Sequence, residues 1–308
     1  MEIIGKYGKA IVFTENIEEA AITQIYDLLN TKMVEEEKVR IMEDTHCGNG
    51  CVVGYTQTYS GGPLDPDVVG CDISCGMLSV KYKMPSGDPE LALWDARIRR
   101  DIPMGMEVNE KTVIQEKEFK KFFKTKLERA RSLWPEFVCY EGQGKKIKEE
   151  IEKLHASGRY TIPPSRFLVT HEDISGYLGD MFFAQAYAEY NRIVISERIK
   201  KALGLGKELE RIESIHNYID PRDRIIRKGS IQAYAGQKVI IPMNMAFGTL
   251  ICEGLGNPDR NYSAPHGAGR LMSRREARER LSLQEFKESM GNVYSSSVCL
   301  ACIDEAPE

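Results

Sequence analysis

Glycine cuts residues 41–82 into short β-branched runs, "CVVGYTQTY", "DVVGCDI" and "GMLSVKYKM". Runs of this length bounded by glycine read as strands joined by tight turns, so the chain must build a sheet. Its middle follows a different period. "KEFKKFFKTKLERARSLW" and "KKIKEEIEKL", between residues 109 and 157, repeat at helical spacing until Pro163 and Pro164 break the pattern. "GYLGDMFFAQAYAEYNRIVISERIKKALGL" then predicts a long amphipathic helix stopped at glycine. Strand and turn patterns return from residue 212, as in "RIIRKGSIQAYAGQKVIIPM", and the loop "NYSAPHGAGRLMSRREARERL" enters a basic helix. At the amino end, "KAIVFTENIEEAAITQIYDLLN" predicts a strand, an N-cap at Thr14 or Asn16, and a helix with Ile17, Ala21, Ile25, Leu28 and Leu29 on one face. β-rich ends around a helical middle give an α+β fold. With no linker-like stretch, residues 1–308 read as a single domain, a β-rich core with peripheral helices.

Composition excludes several classes. No apolar segment approaches the ~20 residues that span a bilayer, and the first residues carry no secretory pattern. Eight cysteines in 308 residues do not make a disulfide scaffold, so cytoplasmic thiols are expected, some of them metal ligands. The net charge of −4 gives no global field for nucleic acid, so RNA or phosphate must be met by a local Arg/Lys cluster.

Four stretches can carry chemistry: "EDTHCGNGC" with Asp44, His46, Cys47 and Cys51; "GCDISCGM" with Asp72 and Cys75; "IHNYID" with His216; and "SAPHGAGRLMSR". Carboxylate, thiolate and imidazole together suit a divalent ion such as Zn²⁺ or Mn²⁺. The alternative for Asp72 and Cys75 is a turn-capping aspartate beside an inert thiol, and for His216 a satisfied structural histidine. In "PHGAGR" the glycines let backbone N–H groups approach phosphate oxygens, and Arg270 and Arg274 would clamp anions from one helix face. His266 is then a candidate nucleophile at phosphorus, against a plain glycine turn with a surface histidine. Arg227 and Lys228, beside a glycine turn, are candidate phosphate contacts. "CLAC" (Cys299, Cys302) has the spacing of half a zinc site without a matching second pair.

Taken together, these stretches resemble the RtcB family of RNA ligases, from about residue 3 to about residue 306. "VGCDISCGM" is similar to that family's "VGxDIGCGM", "IHNYID" to its HN motif, "IIRKGSIQAYAGQKVIIP" to its RKGA region, "SAPHGAGRLMSRREA" to its HGAGRxMSR loop, and "IMEDTHCGNGCVVGYT" to its "MPDxHxGxGxxxG" opening. The resemblance implies a GTP- and Mn²⁺-dependent enzyme that joins RNA 3′-phosphate or 2′,3′-cyclic phosphate ends to 5′-hydroxyl ends. It implies Asp72, Cys75 and His216 as metal ligands, with Cys75 able to bridge two ions, and His266 as the residue that takes GMP. Gly267, Ala268 and Gly269 would line the nucleotide site with Pro242, Met243, Asn244, Met245, Asn217 and Thr249, and Arg270 and Arg274 would hold phosphates.

The chain departs from that pattern. The family's "GNHFIE" and "HSGSR" stretches, which supply two histidine ligands, are not found, nor is its C-terminal lysine; His155, Arg159 and His171 are poor substitutes. "EDTH" and "DISCGM" replace "PDVH" and "DIGCGM", and Asn244 replaces a serine. One of two metal positions would then be short of ligands. The alternative reading is therefore an impaired RtcB paralogue that binds metal, nucleotide or RNA ends without turnover, and a third is a structural zinc protein.

Overall fold

The computed structural model describes residues 1–105, 107, 109, 113–134, 174–269 and 274–307. Strands β1 (Glu2–Ile4) and β2 (Lys9–Val12) form a hairpin, and helix α1 (Glu19–Leu29) crosses over to β3 (Val39–His46), which lies parallel to β2. β4 (Val53–Thr58) follows, then β5 (Gly76–Tyr82), helices α2 (Leu91–Asp101), α3 (Glu116–Leu133) and α4 (Ile174–Leu203), and β6 (Glu208–Ile215). The second β-rich part holds β7 (Tyr218–Asp220), β8 (Ile225–Lys228), β9 (Ser230–Gln232), β10 (Lys238–Pro242), β11 (Thr249–Glu253) and β12 (Ser263–Pro265), and ends in α5 (Arg274–Arg280) and α6 (Leu283–Met290). The fold is α+β. One six-stranded sheet runs β1-β2-β3-β4-β8-β7, and β5–β6, β9–β12 and β10–β11 form two-stranded antiparallel pairs. No helix among the described residues is long and apolar enough to cross a membrane.

The main core sits on this sheet. Ala21, Ile25, Leu28 and Leu29 of α1 are buried together with Val39, Ile41, Tyr55 and Ile226 of β3, β4 and β8. Each aliphatic side chain so buried contributes about 1.5–3 kcal/mol. Ile17 packs against the same cluster from the loop, because α1 starts later than its sequence predicts. Thr14 does not cap it: the Thr14 hydroxyl accepts from the Asn16 N–H at 3.1 Å, closing a local turn, and the N-cap position falls on Glu18 without a side-chain bond.

Two further expectations are corrected. "DVVGCDI" is not a strand. Pro66 fixes φ and donates nothing, and Asp65 accepts from the Asp67 N–H at 2.9 Å, so Pro66–Val68 winds into a 3₁₀ turn. The long helix α4 ends as foreseen, with Leu205 N–H on Lys200 O and Gly204 N–H on Lys201 O. It lacks a single apolar stripe, however. α2 and α3 pack on it, Arg192 donates to Glu213 of β6, and the Tyr82 hydroxyl of β5 donates to Ser196 O, so several elements share its contacts. The stretch "KKIKEEIEKL", Pro163 and Pro164 lie outside the described residues.

Candidate active site

Two close approaches of backbone position the site. At Gly76 a Cβ would lie 2.4 Å from Ser214 O, so only glycine lets β5 pair with β6 this tightly. The pairing continues one residue further, where His216 N–H donates to Cys75 O at 2.8 Å. At Gly229 (φ +59°) a Cβ would strike Val53 Cγ1 at 2.1 Å. That glycine lets the chain turn from β8, in the main sheet, into β9, which pairs with β12 just before His266.

Asn217 ties the pieces together. In left-handed backbone conformation (φ +59°), it donates from Nδ2 to Asp72 O at 2.9 Å and accepts the Gly229 N–H on Oδ1 at 2.9 Å. Its own carbonyl accepts from Ser74, another left-handed residue, at 3.1 Å. Arg192 of α4 braces the same turn, donating to Ser74 O at 2.7 Å while pairing with Glu213 at 2.7 Å. Asp72, Cys75 and His216 are thus held by hydrogen bonds among three separate segments, with the Asn217 and Arg192 side chains donating to backbone carbonyls.

Their ionisation is distinctive. Burial, reinforced by a hydrogen bond to Asp72, pushes the Cys75 thiol up to about 11. Burial, with His266 and Arg192 nearby, pulls His216 down to about 3. His216 is therefore a neutral imidazole with a lone pair, and Cys75 is a thiol donating to a carboxylate. The three are good donors for a borderline divalent cation, which would replace the thiol proton; in donor chemistry the residues fit the metal. Among the described residues, however, no three His, Cys, Asp or Glu side chains are grouped to hold a metal ion.

His266 meets His216 edge to face, with ring centroids 4.7 Å apart. Its backbone N–H and its Nδ1 both donate to Asp44 Oδ2, at 3.1 and 2.7 Å. In the neutral ring this bond holds the proton on Nδ1 and leaves the lone pair on Nε2, the arrangement a nucleophilic imidazole requires. Asp44 is almost fully enclosed, and its other oxygen, Oδ1, is buried without a hydrogen-bond partner. Sequence reasoning placed Asp44 in a chemically rich stretch but gave it no role. Its inward position in β3, beside a register shift between Ile41 and His46, was the available sign.

Asp44 also borders a cavity of about 840 Å³. The tip of the β10–β11 hairpin forms one wall, including Pro242, Met243, Asn244, Met245 and Thr249; Ala268 and Gly269 form another. Ala268 N–H donates to Pro242 O at 3.2 Å, and an added Cβ at Gly267 would lie 3.4 Å from that oxygen. Asn244 shapes the tip itself, its Oδ1 accepting from Ala246 and Phe247 at 3.1 and 2.9 Å. His46, whose Nδ1 bonds Asp44 O at 2.9 Å, lines the cavity with Glu18, Glu43 and Glu305.

Arg227 and Lys228 correct the expectation of phosphate contacts. Arg227 is wholly buried, pairs with Asp220 at 3.1 Å, and donates to Ser263 Oγ at 2.9 Å and Asn261 O at 3.3 Å. Lys228 Nζ donates to three carbonyls, Asn49, Cys51 and Asp67, at 2.6–2.9 Å. Both cations are engaged internally. Arg270, His155, Arg159 and His171 lie outside the described residues; Arg274 opens α5.

The sequence pattern of the family described as "tRNA-splicing ligase RtcB" matches residues 24–166 and 142–308. The chain belongs to the RtcB family. It is 25% identical over 326 residues to the RNA-splicing ligase RtcB of Escherichia coli strain K12, covering 80% of this chain and 77% of that protein. It is 29% identical over 187 residues to the tRNA-splicing ligase RtcB of Aeropyrum pernix, covering 48% of this chain and 39% of that one. Within this RtcB chain, the paired histidines, the Asp72–Cys75 turn and the cavity are drawn from segments far apart in sequence, which the sheet connections bring together.

Proposed function

We propose that this chain is an RNA ligase acting in the cytoplasm, joining RNA 3′-phosphate or 2′,3′-cyclic phosphate ends to 5′-hydroxyl ends, with GTP as co-substrate and Mn²⁺ as the metal. The observation that carries the reading is the Asp44–His266 pair, which directs the imidazole's Nε2 lone pair away from Asp44 and beside a neutral imidazole, while Asp44 itself lines a nucleotide-sized cavity. In the first step Nε2 attacks the α-phosphorus of GTP, the bond to the bridging oxygen breaks, and pyrophosphate leaves. Asp44 keeps the Nδ1 proton in place and offsets the positive charge that the ring acquires. His216, neutral at physiological pH, adds no competing charge. An oxygen of the RNA 3′-phosphate then attacks the same phosphorus, and the N–P bond breaks, restoring His266. Finally the 5′-hydroxyl attacks the 3′-phosphate, GMP departs, and the hydroxyl proton is released. A cyclic phosphate must first be opened by water.

Asp72, Cys75 and His216 would hold the metal, which when bound supplies Lewis-acid charge at the reacting phosphate. The turn around Gly267–Gly269 and the Pro242–Met245 tip would hold the nucleotide.

Incubation with Mn²⁺ and GTP labelled at the α-phosphate tests the reading. Acid-labile label on the protein, absent in His266→Ala, is the expected result. That no three metal donors are grouped among the described residues favours a second reading, a paralogue that binds metal, nucleotide or RNA ends without turnover. Mn²⁺ bound stoichiometrically with no label on the wild-type chain would establish that second reading and sink the first.

A further inference from the structure

Cys299 and Cys302 have no part in the proposed reaction. Cys299 caps a 3₁₀ turn, Leu300–Glu305, and the Cys302 N–H donates to Cys299 O at 3.1 Å, folding the two residues onto each other. Their side chains are joined by a sulfur hydrogen bond, and both are partly exposed. The same turn reaches the cavity at its other end. Glu305 and Ala306 line the cavity, and Ile303 and Ala306 are buried with Phe286 and Met290 in a small core against which Met245 of the hairpin tip packs. The thiols and the cavity wall therefore share one short element.

We infer that Cys299 and Cys302 form a reversible dithiol–disulfide site, oxidised by a small-molecule disulfide, and that closing it displaces the cavity wall. The Cys299 thiolate attacks one sulfur of the reagent and expels the other half as a thiol. Cys302 then gives up its proton and attacks the Cys299 sulfur, expelling the second half. Two hydrogens pass from the protein to the reagent, which is reduced to two thiols. A disulfide is about 2.05 Å long, well inside any sulfur hydrogen bond, so Cys302 must move toward Cys299 and pull on Ile303. The contact also suits stepwise chemistry: the hydrogen bond to Cys299, followed by burial, raises the Cys302 thiol, so Cys302 keeps its proton until the second exchange. Among the other thiols Cys51 is buried, and the exposed Cys71 is the competitor that the test must separate. This inference is independent of the ligase reading.

The test treats the full chain with oxidised glutathione, maps peptides without reductant, and follows amide hydrogen exchange. Loss of two hydrogens confined to the peptide holding Cys299 and Cys302, reversed by dithiothreitol, is expected. Cys302→Ser should instead retain glutathione on Cys299. Exchange across residues 242–249 should change by about threefold or more on oxidation of the wild type, and not in Cys302→Ser. Glutathione persisting on the wild-type pair, a bond from either cysteine to Cys71 or Cys75, or unchanged exchange at the hairpin tip would each overturn it.

Discussion

Arg227 and His266 both stand among buried polar groups, but the two clusters are completed differently. Around Arg227 the bonding is closed: Asp220 takes Arg227 and the Tyr234 hydroxyl on one oxygen, at 3.1 and 2.8 Å, while Ser263 and Asn261 take the rest of the guanidinium. Around His266 it is open. Among the described residues Asp44 takes two bonds on Oδ2 and none on Oδ1, and it lines a cavity. A closed network holds a fold together. An open one, with a buried acceptor left over, is kept for a ligand.

The sharpest way to break this contrast is Asp44→Asn. The amide keeps the shape but removes the charge and offers an N–H where Nδ1 must donate, which favours the wrong imidazole tautomer. Labelling by GTP should slow by about 10²–10⁴-fold. The melting temperature should move little. Labelling at the wild-type rate would make Asp44 a packing residue and remove the distinction.

Arg227→Ala should do the reverse. Asp220, its side chain only 7% exposed, would be left buried without its cation, at a cost of about 3–5 kcal/mol in denaturant unfolding. GTP labelling per folded molecule should stay near wild type. A large labelling defect with unchanged stability would restore Arg227 to the role of a phosphate contact.

Arg227 also marks how far the sequence could be read. Local pattern was enough for the β-branched strands, the buried face of α1 and the glycine stop of α4, because neighbouring residues determine those features. It misjudged "RK" beside a glycine, since arginine and lysine are seldom fully buried and their acceptors come from distant segments: Asn49 is 179 residues from Lys228. Asp44 went without a role for the same reason, its histidine being 222 residues away. "DVVGCDI" was misread where Asp65 and Pro66, both visible, outweighed the β-branched pair behind them. Motif resemblance singled out His216 and His266 as candidates, but their edge-to-face contact required the fold.

A third prediction separates the clusters by acid. His216 has a pKa of about 3 when folded against 6.5 unfolded, so between these values the unfolded chain binds the extra proton. Metal-free protein should hold this stabilisation above pH 6.5 and lose it progressively toward pH 3, by on the order of 2–4 kcal/mol. In His216→Gln the loss over that window should shrink by this amount. If the two proteins lose stability in parallel, His216 is not held neutral by its surroundings and the open cluster is more solvated than its contacts imply.

The smallest effect lies at the alkaline end and shows which part of the open cluster a cation would complete. The Cys75 thiol stands at about 11 in the fold against 9 unfolded, so its contribution is present below pH 9 and fades as pH rises toward 11, where both states are ionised. Cys75→Ser should flatten that limb slightly in metal-free unfolding curves. Mn²⁺ should reverse the sign, because a thiolate ligand must shed the proton that Cys75 now donates to Asp72. Stabilisation by a fixed Mn²⁺ concentration should thus grow with pH through the neutral range in the wild type. In Cys75→Ser it should be weaker and nearly flat. Equal, pH-independent stabilisation of both proteins would mean that the ion binds elsewhere and that the Asp72–Cys75 hydrogen bond is already complete, as closed a unit as the one around Arg227.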